Sequence, residues 1–226
     1  MNAVILAAGL GTRLGRPLPK PLTRLRNGQT ILGRQIDYLR RHFGADLCLS
    51  IVVGYKLEMI LEAAGAHASF VYNEFFDQTN TAKSLLRALR LAPPGGVLWL
   101  NGDVVFVAPM LKELPFDRSF VAVNTAQVGE EEVKYTVDGD GYVKELSKTV
   151  VQARGEAVGI NYVSADDRAA LVHYLERCGD NDYFERGIEL AISEQGLKFS
   201  AVDISPFGCV EVDFLPDLDR ANLLAA

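Results

Sequence analysis

Short apolar runs that stop at glycine or polar turns recur through the first half of the chain. Residues 3–7 end at a glycine cluster, 47–53 at Gly54-Tyr55, and 97–100 at Asn101-Gly102-Asp103. Each has the pattern of a buried parallel strand entering a loop, and residues 69–72 predict a further strand. Between these runs, apolar residues fall at helical spacing over 31–42, 56–64 and 81–91. Thr79, Asn80 or Thr81 can cap the last of these helices. Strand, loop and helix repeating at this cadence predict an α/β, Rossmann-like layered domain with a mostly parallel sheet.

The second half changes rhythm. Residues 120–124, 133–137, 142–146 and 158–163 predict short strands, with Asp138-Gly139-Asp140-Gly141 as a hairpin turn. Helices are expected at 166–177, 183–194 and 216–224, and late strands at 199–204 and 210–212. No clean linker separates the halves. The expectation is one domain over 1–226, in two parts, 1–115 and 116–226, with the hairpin extending a mixed sheet.

Composition narrows the function only in places. A net charge of -6 argues against a general nucleic-acid binder, though not against a local basic pocket for phosphates. Cys48, Cys178 and Cys209 lack a metal-binding spacing, and three thiols cannot form a closed set of disulfides. No apolar span reaches the roughly 18 residues of a membrane helix, and residues 1–9 lack a basic leader. These features predict a soluble, cytoplasmic protein in a reducing compartment, and leave a homodimer open.

Chemistry concentrates at three places. The first is Leu6-Ala7-Ala8-Gly9-Leu10-Gly11-Thr12-Arg13-Leu14, followed by Pro19-Lys20-Pro21-Leu22. Gly9 and Gly11 let backbone amides approach a phosphate, and Arg13 and Lys20 add positive charge. The second is Asp103, a carboxylate just beyond a strand end, where open α/β sheets bind ligands. The third is Glu211-Val212-Asp213, where alternation puts both acids on one side of a strand and leaves either able to face a site. Gly54 and Tyr55, just past a strand end, either line a nucleotide pocket or serve the fold. Neither a P-loop nor a dinucleotide fingerprint is present.

The Leu6–Leu22 segment resembles the signature LAAGxGxRLxPxTxxxPKPL of the nucleotidyltransferases that activate sugar phosphates and choline phosphate. The stretch between Leu14 and Pro19 is a few residues shorter here. The resemblance implies a nucleotide-binding set of Leu6, Ala8, Gly9, Gly11, Thr12, Arg13 and Lys20. It selects Asp213 over Glu211, because Glu211-Val212-Asp213 with Asp217-Leu218 reproduces the family's late E-[IV]-D-x-x-x-D-L stretch. Asp103 and Asp213 are then the ligands of a Mg²⁺ cofactor, Glu211 is structural or supporting, and Asp217 caps the last helix. Asp103, Asp213, Arg13 and Lys20 form the implied catalytic set.

Asn80-Thr81-Ala82-Lys83-Ser84-Leu85 resembles the N-x-x-S-L region of choline-phosphate cytidylyltransferases, which assigns Asn80 and Ser84 to the base or acceptor, unless Asn80 only caps its helix. Lys148 is implied at the acceptor phosphate. Glu156 and Gly159, in Gly155-Glu156-Ala157-Val158-Gly159-Ile160, resemble the family's GExxGI segment and are expected at the acceptor. Asp180, Asp182 and Glu185 offer an acidic rim for an amine, or merely a polar loop with a helix cap. The implied reaction is transfer of CMP from CTP to a small phosphorylated acceptor, with no nucleic-acid or membrane partner. A sugar-1-phosphate nucleotidyltransferase and a catalytically weak nucleotide-binding regulatory domain stand as alternatives.

Overall fold

Alternation along the central strands divides the apolar residues between two faces of one sheet. In β1 (Asn2–Ala7), Ala3, Ile5 and Ala7 join one buried cluster, while Val4 and Leu6 join another. In β4 (Val97–Asn101), Leu98 and Leu100 fall on the first face, and Val97 and Trp99 on the second. Side chains that alternate in this way need a covering layer on both sides. The computed structural model, which describes residues 1–11, 18–126, 128–129 and 132–225, supplies both layers.

The first face is covered by α1 (Ile31–Phe43) and α2 (Leu57–Ala64) through Leu32, Ile36, Leu39 and Ile60. The second is covered by α3 (Thr81–Leu91), α4 (Arg168–Arg177) and α5 (Phe184–Gln195), through Leu85, Leu89, Leu171, Leu175, Phe184 and Ile188. The remaining strands are β2 (Cys48–Val53), β3 (Ser69–Tyr72), β5 (Val104–Phe106), β6 (Phe120–Asn124), β7 (Lys134–Val137), β8 (Val143–Ser147), β9 (Gly155–Val163), β10 (Ser200–Asp203) and β11 (Cys209–Glu211). The chain closes with α6 (Leu215–Leu224) over a small cluster that includes Leu25, Val105, Val212 and Leu218.

Sheet order along the main path is β10-β6-β9-β4-β1-β2-β3. β1, β2, β3 and β4 are parallel, β9 is antiparallel to β4 and β6, and β10 is parallel to β6. This is an α/β, Rossmann-like three-layer fold with a mixed, mostly parallel sheet. The β7–β8 hairpin attaches to the side of β9 through β7. Its turn is held as the sequence suggests: Asp138 accepts from the amides of Asp140 and Tyr142, and Gly141 takes a positive φ of 88°.

The chain leaves β1 for β2 on one side, and β4 later pairs on the other. The connections therefore run to opposite sides of β1, and the switch falls at the C-terminal ends of β1 and β4, the position where open sheets form a ligand crevice. The β4–β5 turn is drawn onto β1 by the Gly102 amide, which donates to the Leu6 carbonyl at 2.9 Å.

Beyond the crevice, Arg168 closes the far end of α3. Its guanidinium donates to the carbonyls of Leu89, Ala92 (2.6 Å) and Pro93 (2.5 Å), groups that the end of a helix leaves without intrahelical partners. Arg168→Ala is expected to lower stability by about 1.5–3 kcal/mol, the range for hydrogen bonds to a charged group. Arg168→Lys should recover only part of it, because one ammonium cannot span the same fan of carbonyls. Urea denaturation of the three proteins reads the difference directly, and equal midpoints would refute this role.

Candidate active site

A short antiparallel pair brings the two sequence-distant aspartates together. β5 and β11 pair with Val104 opposite Glu211, so the residue before β5 and the residues after β11 meet. The Val212 amide donates to the Asp103 carbonyl at 3.0 Å, fixing Asp103 beside Asp213. Asp217 then accepts from the amides of Asp213 (3.0 Å) and Phe214 (2.7 Å), starting α6 and holding the backbone of Asp213.

Lys20 lies at the start of a single turn of 3₁₀ helix, Lys20–Leu22. Its ammonium donates to Asp103 Oδ2 at 3.1 Å and to Asp213 Oδ1. Gly11, at φ +62°, lies against the stem of Lys20: a Cβ there would come 2.8 Å from Lys20 Cγ. Burial lowers the Lys20 pKa, but the charges and hydrogen bonds of Asp103 and Asp213 outweigh it, and the net shift is upward. Burial pushes the Asp103 carboxyl up, with Lys20 opposing. Glu211 is raised well above its ordinary value by burial and by the charges of Asp103, Glu132 and Asp213.

These residues line one end of a cleft of about 300 Å³ at the C-terminal ends of β1 and β4. Of the residues expected to bind nucleotide, Leu6, Ala8, Gly9, Gly11, Lys20, Asn80 and Ser84 border it. Thr12 and Arg13 lie outside the described residues. Of the residues expected at the acceptor, Lys148, Gly159 and Glu185 border the cleft. Asn80 also caps α3, accepting from the Thr81 amide at 2.8 Å, and Ser84 accepts from the Asn73 side chain at 3.0 Å. Gly159, at φ +69°, packs against the Asn101 side chain, whose Nδ2 would lie 2.6 Å from an added Cβ.

Among the described residues expected in the site, Gly54, Tyr55, Glu156, Asp180 and Asp182 are not in the cleft lining. Gly54 packs under Phe76, whose Cβ would come 2.4 Å from an added methyl, and the Tyr55 amide donates to the Ala8 carbonyl at 3.1 Å. Both brace the glycine loop from behind. Glu156 turns to the backbone and accepts from the Gly129 amide at 2.8 Å, with Asn124 a second donor at 3.3 Å. Asp182 closes its own turn by accepting from the Gly179 amide at 2.7 Å. Of the three acids expected at a rim, Glu185 borders the cleft.

Glu185 is 7% exposed, its Oε2 has no partner among the described residues, and burial raises its pKa to about 7, with Lys148 opposing. Tyr183 is beside it, and the Lys148 ammonium lies 5.0 Å from the centre of the Tyr183 ring. Sequence reasoning missed Glu132, which borders the cleft and is raised by burial and by Glu156 and Asp213. It also placed Glu211 in a supporting role, whereas Glu211 faces the cleft. Glu132 belongs to no sequence motif that would have singled it out, but the period-2 relation of Glu211 to Asp213 was a usable signal.

Among the described residues, no group of three or more His, Cys, Asp or Glu is placed to hold a metal by itself. Asp103 and Asp213 nevertheless converge on one cation, the Lys20 ammonium. Two hard carboxylate donors, with the remaining positions left to water and phosphate, suit Mg²⁺ better than a transition metal that prefers imidazole or thiolate.

Comparison with known proteins bears on the domain and the fold. The model of the MobA-like NTP transferase domain matches residues 3–114. A CMP-5'-(3-aminopropyl)phosphonate synthase of Streptomyces rubellomurinus is 33% identical over 259 residues, an alignment covering 98% of this chain and 38% of that protein. The chain therefore spans well under half of that relative's length. The inositol-1-phosphate CTP transferase from T. maritima shares the fold with a TM-score of 0.80, at 18% identity over 99% of this chain and 94% of the other. The CTP:phosphocholine cytidylyltransferase from Streptococcus pneumoniae does so with a TM-score of 0.75, at 20% identity over 100% and 99%. Residues 3–114 thus match the MobA-like NTP transferase domain, and the chain as a whole has the three-layer fold of these nucleotidyltransferase structures. No helix among the described residues is long and apolar enough to cross a membrane.

Proposed function

We propose that the protein transfers CMP from CTP to a small phosphorylated acceptor that carries an amine, such as an aminophosphonate or phosphocholine, and releases pyrophosphate. The observation that carries the reading is the convergence of Lys20, Asp103 and Asp213 at the sheet's switch point, with buried Glu185 across the same cleft. A phosphate or phosphonate oxygen of the acceptor attacks the α-phosphorus in line. A P–O bond forms, the bond to the β-phosphate oxygen breaks, and pyrophosphate carries away the electron pair. The attacking oxygen is already anionic near neutral pH, so no general base is needed.

Asp103 and Asp213 would hold a Mg²⁺, which would neutralise charge at the phosphate oxygens. Lys20 binds the β- and γ-phosphates, where negative charge accumulates as pyrophosphate departs. Backbone amides at Gly9 and Gly11 approach the triphosphate, and Lys148 holds the acceptor's phosphate. Orientation and fixed charge do the catalytic work.

The charge balance of the cleft supports an amine-bearing acceptor. Among the described residues lining it are Asp103, Glu132, Glu185, Glu211 and Asp213, against Lys20 and Lys148. Two anionic substrates need additional positive charge in such a cleft. The metal supplies part, and an ammonium on the acceptor supplies more. The aminophosphonate-related name of the Streptomyces relative and the choline substrate named for the pneumococcal structure point the same way.

Glu185 makes this reading testable by pH. Its raised pKa means that an ammonium meets an ionised partner only above about pH 7. Affinity for an amine acceptor should therefore strengthen as pH rises through 7, and Glu185→Gln should remove that step while raising KM more than it lowers kcat. The stability sign runs the other way. A carboxyl with a raised folded-state pKa stabilises the fold at low pH, and this contribution is lost between about pH 4.5 and 7. The Tm of the native protein should fall relative to Glu185→Gln across that window. A KM profile that is the same in both proteins would remove Glu185 from the acceptor site.

A further inference from the structure

Without substrates, Lys20 occupies the position that the mechanism gives to a metal. We propose that Lys20 is the resident counter-ion of the Asp103–Asp213 pair, so that a divalent cation enters together with a nucleotide rather than alone. The inference rests on reading that pair as metal ligands.

Three observations support it. The Lys20 ammonium contacts both carboxylates at once, and the three side chains are only 14%, 16% and 18% exposed. The stem of Lys20 is seated against Gly11, so the ammonium is directed into the cleft by packing as well as by charge. Glu211 faces the same space and adds a further acid that a cation must neutralise.

An incoming divalent ion must therefore displace an ammonium from partly desolvated carboxylates. Breaking such a pair without a substitute leaves a charge uncompensated, which is costly. The polyphosphate of a nucleotide provides the substitute. When Lys20 moves to the β- and γ-phosphates, both aspartates are released to the metal, and the displaced ammonium gains a new anion. Metal and nucleotide then raise each other's affinity by the same factor, as linkage requires. The device keeps the carboxylates compensated when the cleft is empty and disfavours occupation by a metal that has arrived without substrate.

The test is Mn²⁺ binding to the full chain without nucleotide, followed by the paramagnetic resonance signal of free Mn²⁺. Lys20→Met removes the charge and keeps the stem, while Lys20→Gln also keeps a hydrogen-bond donor for the carboxylates and guards against loss of folding. Both variants are expected to bind Mn²⁺ at least about tenfold more tightly than the native chain, within the usual range of site-to-site coupling. Adding Asp103→Asn to either should abolish the gain. Native and variant chains with equal Mn²⁺ affinity would overturn the inference, as would a gain that survives Asp103→Asn. The readout is separable from the proposed reaction. Turnover by the native chain with no Mn²⁺ gain in the variants overturns the counter-ion role alone, while a gain without any turnover overturns the proposed reaction alone.

Discussion

Asp103→Asn is expected to lower kcat/KM by about a thousandfold while leaving the chain folded. The substitution is nearly isosteric and keeps the Asp103 carbonyl, so the hydrogen bond from the Val212 amide survives. What disappears is one of two negative charges that converge on a single cation position. Losing one preorganised electrostatic group at a reacting centre costs about 10²–10³ in rate. Here the loss also weakens metal binding, which places the expectation at the upper end. Asp213→Asn should behave alike, and the double variant should be little worse than either single one, since both act through one ion. Trp99 is the chain's sole tryptophan, and its emission checks that the fold is retained. A folded Asp103→Asn protein with more than about a tenth of native activity would contradict the assignment.

Trp99→Ala should be the most destabilising single truncation. Trp99 is fully buried on the central strand β4, and its ring meets Phe184 edge-on with centroids 5.6 Å apart. Large-to-alanine changes of an aromatic core residue cost about 3–5 kcal/mol, a large part of the 5–15 kcal/mol that holds a typical domain together. The consequence extends to the site, because Phe184 is followed directly by Glu185 at the start of α5. The variant should therefore lose acceptor affinity under conditions where it remains folded. Guanidinium denaturation followed by circular dichroism measures the first effect, and acceptor KM the second. A loss below about 1 kcal/mol would mean that the cavity closes without cost and that Trp99 does not anchor α5.

The half of the molecule built on simple periodicity was legible in the sequence. The strands expected at 69–72 and 120–124 and the helix expected at 81–91 have those bounds in the structure. In those segments a single pattern decides: one buried stripe, or alternation into a two-sided core. Ends supported by turn chemistry were also readable, as at Asp138-Gly139-Asp140-Gly141 and at Asp217.

Pairing was harder to read, because hydrogen bonding between distant strands leaves little local trace. β5, only Val104–Phe106, was not anticipated, since three apolar residues after Gly102-Asp103 look like a continuation of the turn. Yet its pairing with β11 is what seats Asp213 beside Asp103. The resemblance had linked the two acids, whereas the geometry gives the reason. The same limit explains the residues outside the cleft. Gly54, Tyr55, Glu156 and Asp182 have the residue types of a site, but each is engaged by backbone or packing partners that only the tertiary structure reveals. Glu132 is the converse: it has no motif around it and lines the cleft just before β7, which pairs with the start of β9.

The most direct test of the account is pyrophosphate release by the purified chain with Mg²⁺, each common NTP, and a panel of phosphonate and phosphate acceptors. The panel includes 2-aminoethylphosphonate, phosphocholine and sugar 1-phosphates. The account predicts release only when CTP is combined with an amine-bearing acceptor, and its loss on adding a chelator. Release that requires a sugar 1-phosphate and another NTP, or failure to bind any NTP, would contradict it.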